Sequence, residues 1–295
     1  MNGLQIRSSW QECLTTKLWY LGVVGSVAIW LSTDASVAWS QRPAPVDVKV
    51  QEDYIYGRKD GMALTFDVVR PAEPNGLGVC FMVSGGWNSM WFPPQQFIRD
   101  SLYQSLLREG YTLFLVRHGS APRYKVPDAV ADVRLAIEKI RANAAEFGVD
   151  PNKLGALGGS AGGHLSVMLG TTGEPKQRVA AVASYFPPTN LNGYVDDPKY
   201  RNDFPALVFD RDLVDAMSPE LHATSDDAPI LMVHGDQDTL VPLSHSEKLK
   251  AKLDEQNVAN HLLVIEKAGH GFGGEDKKNA EQAVLDWFNK HLRGQ

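Results

Sequence analysis

Cysteine is almost absent from this 295-residue sequence, which contains only Cys13 and Cys80. Cys80 stands alone in an apolar run, and the segment that holds Cys13 is expected to be removed from the mature protein. A disulfide framework is therefore excluded, so stability has to come from a hydrophobic core. We interpret Cys80 as a small buried hydrophobic residue rather than a reactive thiol.

Clusters of positive charge and internal repeats are also missing. The net charge is −6, and no run of basic residues resembles a patch for polyanions or lipid headgroups. This charge argues against a nucleic-acid partner. The contents of 43% hydrophobic and 22% charged residues are typical of a globular protein. We therefore predict a single globular domain over residues 41–295.

Long hydrophobic runs are lacking as well. Residues 18–31 are apolar apart from Ser26, which is shorter than the ~20 residues that span a membrane. Arg7 and Lys17 precede this run, and small-x-small cleavage sites follow it between residues 36 and 40. The pattern predicts a secretory signal peptide over residues 1–40. A short apolar core favours cleavage over an uncleaved anchor, so the mature protein is expected to be secreted or periplasmic without a stable membrane span.

Short apolar runs alternate with helical patterns through most of the chain. Residues 46–56 and 62–69, joined by Asp60-Gly61, indicate an antiparallel hairpin. The later alternation predicts an α/β fold with a mostly parallel central sheet and helices on both faces. Residues 187–227 show no strong period and are interpreted as a possible cap segment. The predicted parallel strands are residues 77–83, 111–116, 154–157, 179–186, 229–233 and 261–265.

Ser160 lies where a predicted strand turns sharply into a helix. Gly158 and Gly162 flank it at the two positions where a side chain would clash with neighbouring backbone. The N–H groups at the start of the helix, including that of Ala161, favour negative charge. A glycine-rich turn with an incidental serine remains the alternative until the rest of the chain is considered.

Two further candidate residues follow later strands, and parallel sheets place their sites at the carboxyl ends of strands. Asp238 comes after residues 229–233, and His270, with glycine on both sides, comes after the last strand. Asp236 competes with Asp238, but it is nearer the strand end and can cap the turn, so Asp238 is favoured. Serine needs a base to accept its proton, and the base needs a carboxylate to orient it.

The other histidines receive structural interpretations. His164 lies one turn into the helix after Ser160 and is expected to be structural. His118 and His234 lie near strand ends, where turn packing is favoured over a place in the site. His245 and His291 are interpreted as surface residues of helices.

The glycine turn after residues 77–83 predicts an oxyanion hole. Gly85, Gly86 and Ala161 are the predicted donors, because prearranged N–H groups stabilise the charge that develops in acyl transfer. Aromatic residues of this loop and of the cap segment are predicted to face each other across Ser160 as a substrate pocket. They are Trp87, Trp91 and Phe92 from the loop, and Tyr194, Tyr200, Phe204 and Phe209 from the cap segment.

These motifs resemble the esterase/lipase branch of the α/β-hydrolase superfamily, which includes acetyl esterases, carboxylesterases and feruloyl-esterase-like proteins. The resemblance covers residues 46–292 and rests on the GGSAGGH elbow and an HGGGW-type oxyanion loop. It implies Ser160 as nucleophile, Asp238 as acid and His270 as base. The loop departs from the family pattern at Val83, where the family has histidine, and at Ser84, where it has its first glycine.

The resemblance implies a secreted serine esterase that forms an acyl-enzyme and acts on a small-molecule or saccharide ester. No metal or organic cofactor is predicted, and the sequence does not indicate an oligomeric state. One alternative is a serine peptidase similar to the prolyl-oligopeptidase family, although the large propeller of that family is missing from the sequence. The other is a catalytically silent hydrolase fold used for binding, which has no need of all three triad residues.

Overall fold

An eight-stranded sheet organises the part of the chain that the computed structural model describes, residues 46–294. The predicted signal peptide lies outside these residues. The strands are β1 Val48–Lys59, β2 Met62–Pro71, β3 Gly78–Met82, β4 Thr112–Val116, β5 Leu154–Gly159, β6 Ala181–Tyr185, β7 Ile230–Gly235 and β8 Asn260–Ile265. Their order across the sheet is β1-β2-β4-β3-β5-β6-β7-β8. Strand β2 is antiparallel to both of its neighbours, and every pairing from β4 to β8 is parallel.

The N-terminal hairpin forms as predicted. Lys59 pairs with Met62, and the two residues between them, Asp60 and Gly61, have φ values of 48° and 82°. Two-residue hairpin turns that match the right-handed twist of strands need this left-handed backbone, which aspartate and glycine tolerate best. Asp60-Gly61 therefore sets the register of β1 on β2.

Helices connect the parallel strands. They are α1 Pro94–Ile98, α2 Ser101–Arg108, α3 Val126–Ala142, α4 Ala144–Phe147, α5 Ala161–Thr171, α6 Asn192–Asp196, α7 Pro198–Asp203, α8 Ser244–Glu255 and α9 Gly274–Phe288. The segment between β3 and β4 contains two helices rather than one continuous helix. The carboxylate of Asp100 accepts a hydrogen bond from the Leu102 N–H at 3.0 Å and starts α2 there.

The central strands are buried, and Cys80 in β3 is fully enclosed, as expected for a small hydrophobic residue. Because β3, β5, β6, β7 and β8 are parallel, the loops that follow them leave the same edge of the sheet. That edge carries the candidate residues after β3, β5, β7 and β8. In residues 46–294 no helix is both long and apolar enough to cross a membrane.

The cap segment, residues 187–227, connects β6 to β7. It contains the short helices α6 and α7 and four 3-10 turns, none longer than the six residues of α7. Elements this short produce no sustained hydrophobic period, which explains the missing pattern in the sequence. The segment still has its own buried residues, Leu191, Leu207 and Val214.

Candidate active site

Ser160 occupies a strained turn between β5 and α5. Its φ and ψ are 54° and −121°, a region that residues other than glycine seldom adopt. A Cβ atom at Gly158 would lie 2.4 Å from the backbone of Gly162, and one at Gly162 would lie 2.6 Å from the Met82 carbonyl oxygen. The two glycines are therefore required for the turn to close. Strain of this kind costs about 1–3 kcal/mol and persists only where the surrounding structure enforces it.

Asp238 and His270 form a direct pair. The His270 Nδ1 lies 2.7 Å from Asp238 Oδ2, while the N–H groups of Leu240 and Val241 each donate to Asp238 Oδ1 at 2.9 Å. Burial alone would raise the pKa of the Asp238 carboxyl, but hydrogen bonds from His234 and His270 oppose it and set the pKa well below its usual value. Asp238 is therefore an ionised, fully ligated acceptor beside the imidazole.

The contact with Asp238 also fixes the tautomer of His270. Because an ionised carboxylate can only accept, Nδ1 carries the proton and Nε2 keeps its lone pair. The ring of His270 packs on Phe186, with ring centroids 4.3 Å apart. Phe186 in turn lies 3.5 Å from the place where a Cβ at Gly159 would be. Phe186 thus packs against both the imidazole and the strand end that leads into Ser160.

Asp236 has a different part in the structure. It is exposed, and its Oδ1 accepts a hydrogen bond from the Lys267 N–H at 2.6 Å. This bond connects the loop after β7 to the turn after β8. The structure therefore brings Asp238, and not Asp236, to His270.

The oxyanion turn, residues 84–89, is closed by its own backbone. Gly85 and Asn88 exchange two N–H to carbonyl hydrogen bonds, each 2.9 Å long. The N–H of Gly85 is thus engaged within the turn, which differs from the prediction that it is an oxyanion donor. Within residues 46–294, the N–H groups of Gly86 and Ala161 have no protein acceptor. Ala161 is the first residue of α5, where the helix dipole favours an anion.

Buried polar contacts hold this turn where the sequence departs from the family pattern. The Ser84 hydroxyl donates to His118 Nε2 at 2.8 Å, and His118 Nδ1 donates to the Gly119 carbonyl at 2.8 Å. Burial lowers the pKa of His118, so the ring is held neutral. The Ser89 N–H also donates to the Ser120 hydroxyl at 2.8 Å. The sequence analysis did not predict these contacts. The one signal for them was the serine at position 84, where the family pattern has glycine.

The three aromatic residues of the loop do not form one pocket wall. Trp87 is only 5% exposed and packs inside the fold, whereas Trp91 is 53% exposed. Phe92 packs edge-on against Phe97, with centroids 6.3 Å apart. The structure thus corrects the placement of Trp87, which supports the turn from inside. Its buried indole N–H has a partner there, since it donates to His164 Nδ1 at 3.2 Å.

The cap segment does reach the oxyanion turn through Phe204. A Cβ at Gly86 would lie 2.8 Å from the Phe204 ring, so ring and turn are in contact. Tyr194 and Tyr200 instead pack on each other at 4.6 Å, and Tyr194 stacks on His245. Phe204 is therefore the aromatic residue of the cap segment that lies against the predicted site.

Three histidines differ from, or add to, their sequence interpretations. His234 is buried, and its Nε2 lies 2.8 Å from the Val241 carbonyl and 3.5 Å from Asp238 Oδ2, so it lies behind the acid. His245 is half-buried against Tyr194, and burial lowers its pKa to about 4. The ring of His291 packs 4.2 Å from that of Trp287. The interpretation of His245 and His291 as surface residues is therefore wrong.

The strand order and the elbow turn define an α/β-hydrolase. The BD-FAE family model matches residues 66–253, more than half of the chain, so the chain belongs to the BD-FAE family. Esterase LipC of Mycobacterium tuberculosis is 27% identical over 81% of this chain. The predicted resemblance to the esterase branch is confirmed. The chain covers 66% of LipC, so it spans slightly less than two thirds of that relative's length.

Solved structures agree on the fold. A truncated carbohydrate esterase from gut microbiota superposes with a TM-score of 0.67 at 22% identity, covering 83% of this chain and 98% of that one. The apo form of Thermogutta terrifontis esterase 2 gives a TM-score of 0.68 at 24% identity, covering 86% and 97%. The predicted α/β-hydrolase fold with its antiparallel hairpin is confirmed.

Proposed function

We propose that this protein is a serine hydrolase that cleaves carboxylic esters through an acyl-enzyme on Ser160. The observation that carries the proposal is the 2.7 Å contact between His270 Nδ1 and the buried Asp238 carboxylate. This pair lies at the same sheet edge as the strained serine, and Phe186 packs on the His270 ring. An ionised carboxylate that fixes an imidazole next to an elbow serine is the arrangement that nucleophilic acyl transfer needs.

In the proposed reaction, His270 Nε2 takes the proton of the Ser160 hydroxyl as Oγ attacks the ester carbonyl carbon. Negative charge then develops on the carbonyl oxygen, which the N–H groups of Gly86 and Ala161 stabilise. His270 returns the proton to the alkoxide, and the alcohol departs from the acyl-enzyme. Water attacks the acyl carbon, loses a proton to His270, and the acid is released as Ser160 Oγ recovers that proton.

The proposed substrate is a small-molecule or saccharide ester, and the proposed location is secreted or periplasmic. Membership of the BD-FAE family and the likeness to a carbohydrate esterase from gut microbiota support an ester of this kind. Hydrolysis by a prolyl-oligopeptidase-like peptidase and binding by a silent hydrolase fold are the competing functions. They differ from the proposal in the substrate turned over and in the reactivity of Ser160.

Labelling with a fluorophosphonate tests the nucleophile directly. We expect one covalent adduct on the wild type, located at Ser160 by peptide mapping, and none on Ser160→Ala. That variant should lose turnover of p-nitrophenyl acetate by about a million-fold, the scale seen when a triad serine is removed. An unlabelled, inactive wild type would support the binding function instead.

A substrate panel separates the two enzymatic functions. The panel contains p-nitrophenyl esters of increasing chain length, acetylated and feruloylated sugars, and a proline aminoacyl-anilide. We expect hydrolysis of esters and none of the anilide. Faster hydrolysis of the anilide than of any ester would replace the esterase proposal with the peptidase.

A further inference from the structure

We propose that His164, which lies in the elbow helix α5, is a positioning residue for the oxyanion turn and acts through Trp87. This inference rests on the proposed function, because it concerns the donors that would stabilise the acyl-transfer transition state. His164 does not touch the reacting atoms in this scheme. Its effect would be to hold the backbone of the turn that contains Gly86.

The contacts of His164 connect three separate parts of the chain. Its ring is fully buried, and its Nδ1 lies 3.2 Å from Trp87 Nε1 in the oxyanion turn. Its Nε2 lies 2.8 Å from the carbonyl oxygen of Met217 in the cap segment. The rings of Trp87 and His164 meet edge to face, with centroids 5.4 Å apart. One imidazole thus bridges the nucleophile helix, the oxyanion turn and the cap segment.

Only one protonation form satisfies both contacts. An indole N–H can only donate, so Nδ1 of His164 must keep its lone pair. A carbonyl oxygen can only accept, so Nε2 must carry the proton. Burial supports the same state, since it lowers the pKa of His164 to about 4. The ring is therefore a neutral spacer with a fixed donor on one side and a fixed acceptor on the other.

The turn needs such a support because two consecutive residues have left-handed backbones. Gly86 and Trp87 have φ values of 55° and 56°. Glycine adopts this conformation freely, but a bulky aromatic residue does so only when its surroundings enforce it. Trp87 is held there by burial of its ring and by the bond from its indole to His164. Trp87 thereby anchors the peptide that follows Gly86, and the paired Gly85–Asn88 backbone bonds close the turn around it, so a shift of Trp87 is passed to the Gly86 N–H through this closed turn.

Removal of the bond from either side should therefore loosen the turn without removing a catalytic group. His164→Leu keeps a side chain of similar breadth in the cavity but leaves the Trp87 N–H without an acceptor. Trp87→Phe keeps an aromatic ring but removes the donor. In both variants the Gly86 N–H is expected to shift away from the carbonyl oxygen that becomes negatively charged in the transition state. The bound ester depends less on this donor than the transition state does, so kcat should fall while KM changes little.

The two variants and their double mutant are tested with p-nitrophenyl acetate and with a trifluoromethyl ketone, which forms a tetrahedral adduct on an active serine. Complete removal of an oxyanion donor costs about 10²- to 10³-fold in kcat, so a displaced donor should cost about 10- to 100-fold. We expect the ketone to lose affinity by the same factor as kcat, with KM within about threefold of the wild type. The double mutant should have the same kcat as the less active single variant, because both substitutions remove the same Trp87–His164 hydrogen bond.

A second histidine–tryptophan pair provides the matched control. His291, just after α9, packs on Trp287 in the last turn of that helix, and the neighbouring Phe288 lies against Gly155 at the opposite end of β5 from Ser160. His291→Leu and Trp287→Phe should leave kcat, KM and ketone affinity at wild-type values. Any loss of thermal stability common to both pairs then measures packing alone.

Retention of kcat and ketone affinity within twofold in a folded Trp87→Phe enzyme would overturn the positioning role, whether or not His164→Leu folds. The positioning role would also be overturned if KM rose by the same factor by which kcat fell. It would be overturned as well if the two single losses in kcat multiplied in the double mutant. Failure of the proposed function is a distinct result, because the wild type itself would then neither hydrolyse the ester nor react with the fluorophosphonate.

Discussion

At the scale of single residues, the candidate site depends on how many hydrogen bonds each carboxylate receives. Asp238 accepts from two backbone N–H groups and from His270, whereas the carboxylate of the exposed Asp236 receives one from Lys267. A carboxylate with several donors remains ionised in a buried place, since each bond favours the charged form. Asp238 is thus suited to stabilise an imidazolium next to it.

Replacement of the acid should distinguish these two residues. We expect Asp238→Asn to lower kcat by about 10⁴-fold, because an amide at this position no longer selects the His270 tautomer with a free Nε2. Asp236→Asn removes only a turn contact and should cost less than about tenfold. The measurement is kcat for p-nitrophenyl acetate at saturating substrate. A larger loss in Asp236→Asn would move the acid role to that residue.

At the scale of elements, the elbow between β5 and α5 is limited by backbone contact. A Cβ at Gly158 would approach the backbone of Gly162 to 2.4 Å, and neither partner is a flexible side chain that can move away. The same construction places Ser160 at φ 54°. Close approach of the strand end and the helix start therefore produces the strained serine.

Gly158→Ala is expected to destabilise the protein by at least about 3 kcal/mol, because overpacking against backbone is at the upper end of such costs. Gly193→Ala is the matched control. Gly193 is exposed in α6 with no atom within 4 Å of its would-be Cβ, so alanine should be neutral or stabilise by less than about 1 kcal/mol. Urea unfolding of both variants measures the difference. Equal stability would show that the elbow can widen at little cost.

The cap segment meets the site at Phe204. Its ring contacts Gly86 of the oxyanion turn, so we expect it to restrict the space next to the reacting carbonyl. Phe204→Ala should raise kcat/KM for long-chain p-nitrophenyl esters relative to the acetate by about tenfold, the scale of one or two methylene groups in an apolar pocket.

Trp91→Ala should instead raise KM for bulky esters more than for acetate. An unchanged chain-length profile in either variant would assign that residue a packing role only.

At the scale of the whole molecule, several buried histidines make the fold sensitive to acid. Burial lowers the pKa of His118, His164 and His245, and it lowers the last two to about 4. A histidine in the unfolded chain takes up a proton below about pH 6.5, whereas His164 and His245 remain neutral in the folded state until about pH 4, and the pKa of His118 is also lowered by burial. The unfolded state therefore binds more protons in this range, so stability falls as pH falls through it.

The contribution of His164 can be measured separately. A shift from 6.5 to about 4 corresponds to about 3 kcal/mol of stability that is present at pH 7 and lost by pH 4. Urea unfolding at both pH values should show this loss in the wild type and about 3 kcal/mol less of it in His164→Leu. His261→Gln, at an exposed position in β8, should retain the wild-type pH dependence. If His164→Leu instead kept the pH dependence of the wild type, the pKa of His164 would not be lowered in the folded state.

The amino-acid sequence alone predicted the fold class and the order of the candidate residues. Alternating apolar runs and helical periods are local patterns, and they predicted the hairpin, the parallel sheet and the helix after Ser160. Gly158 and Gly162 could be interpreted without coordinates, because the clash they avoid lies within five residues of chain. The preference for Asp238 over Asp236 also came from position in the loop, since only a residue far from the strand end can reach across it.

The groups that support the site could be identified only from the folded chain. His164 meets Trp87 and Met217, residues 77 and 53 positions away in the chain, and no local pattern encodes such contacts. The same holds for His118 with Ser84 and for Phe204 against Gly86. Parallel strands deliver distant loops to one edge of the sheet, and the packing between those loops depends on side-chain shapes that are specified only once the loops meet. The buried position of Trp87 depends on that packing. The sequence alone does not show it, so the prediction that placed Trp87 in the pocket was wrong.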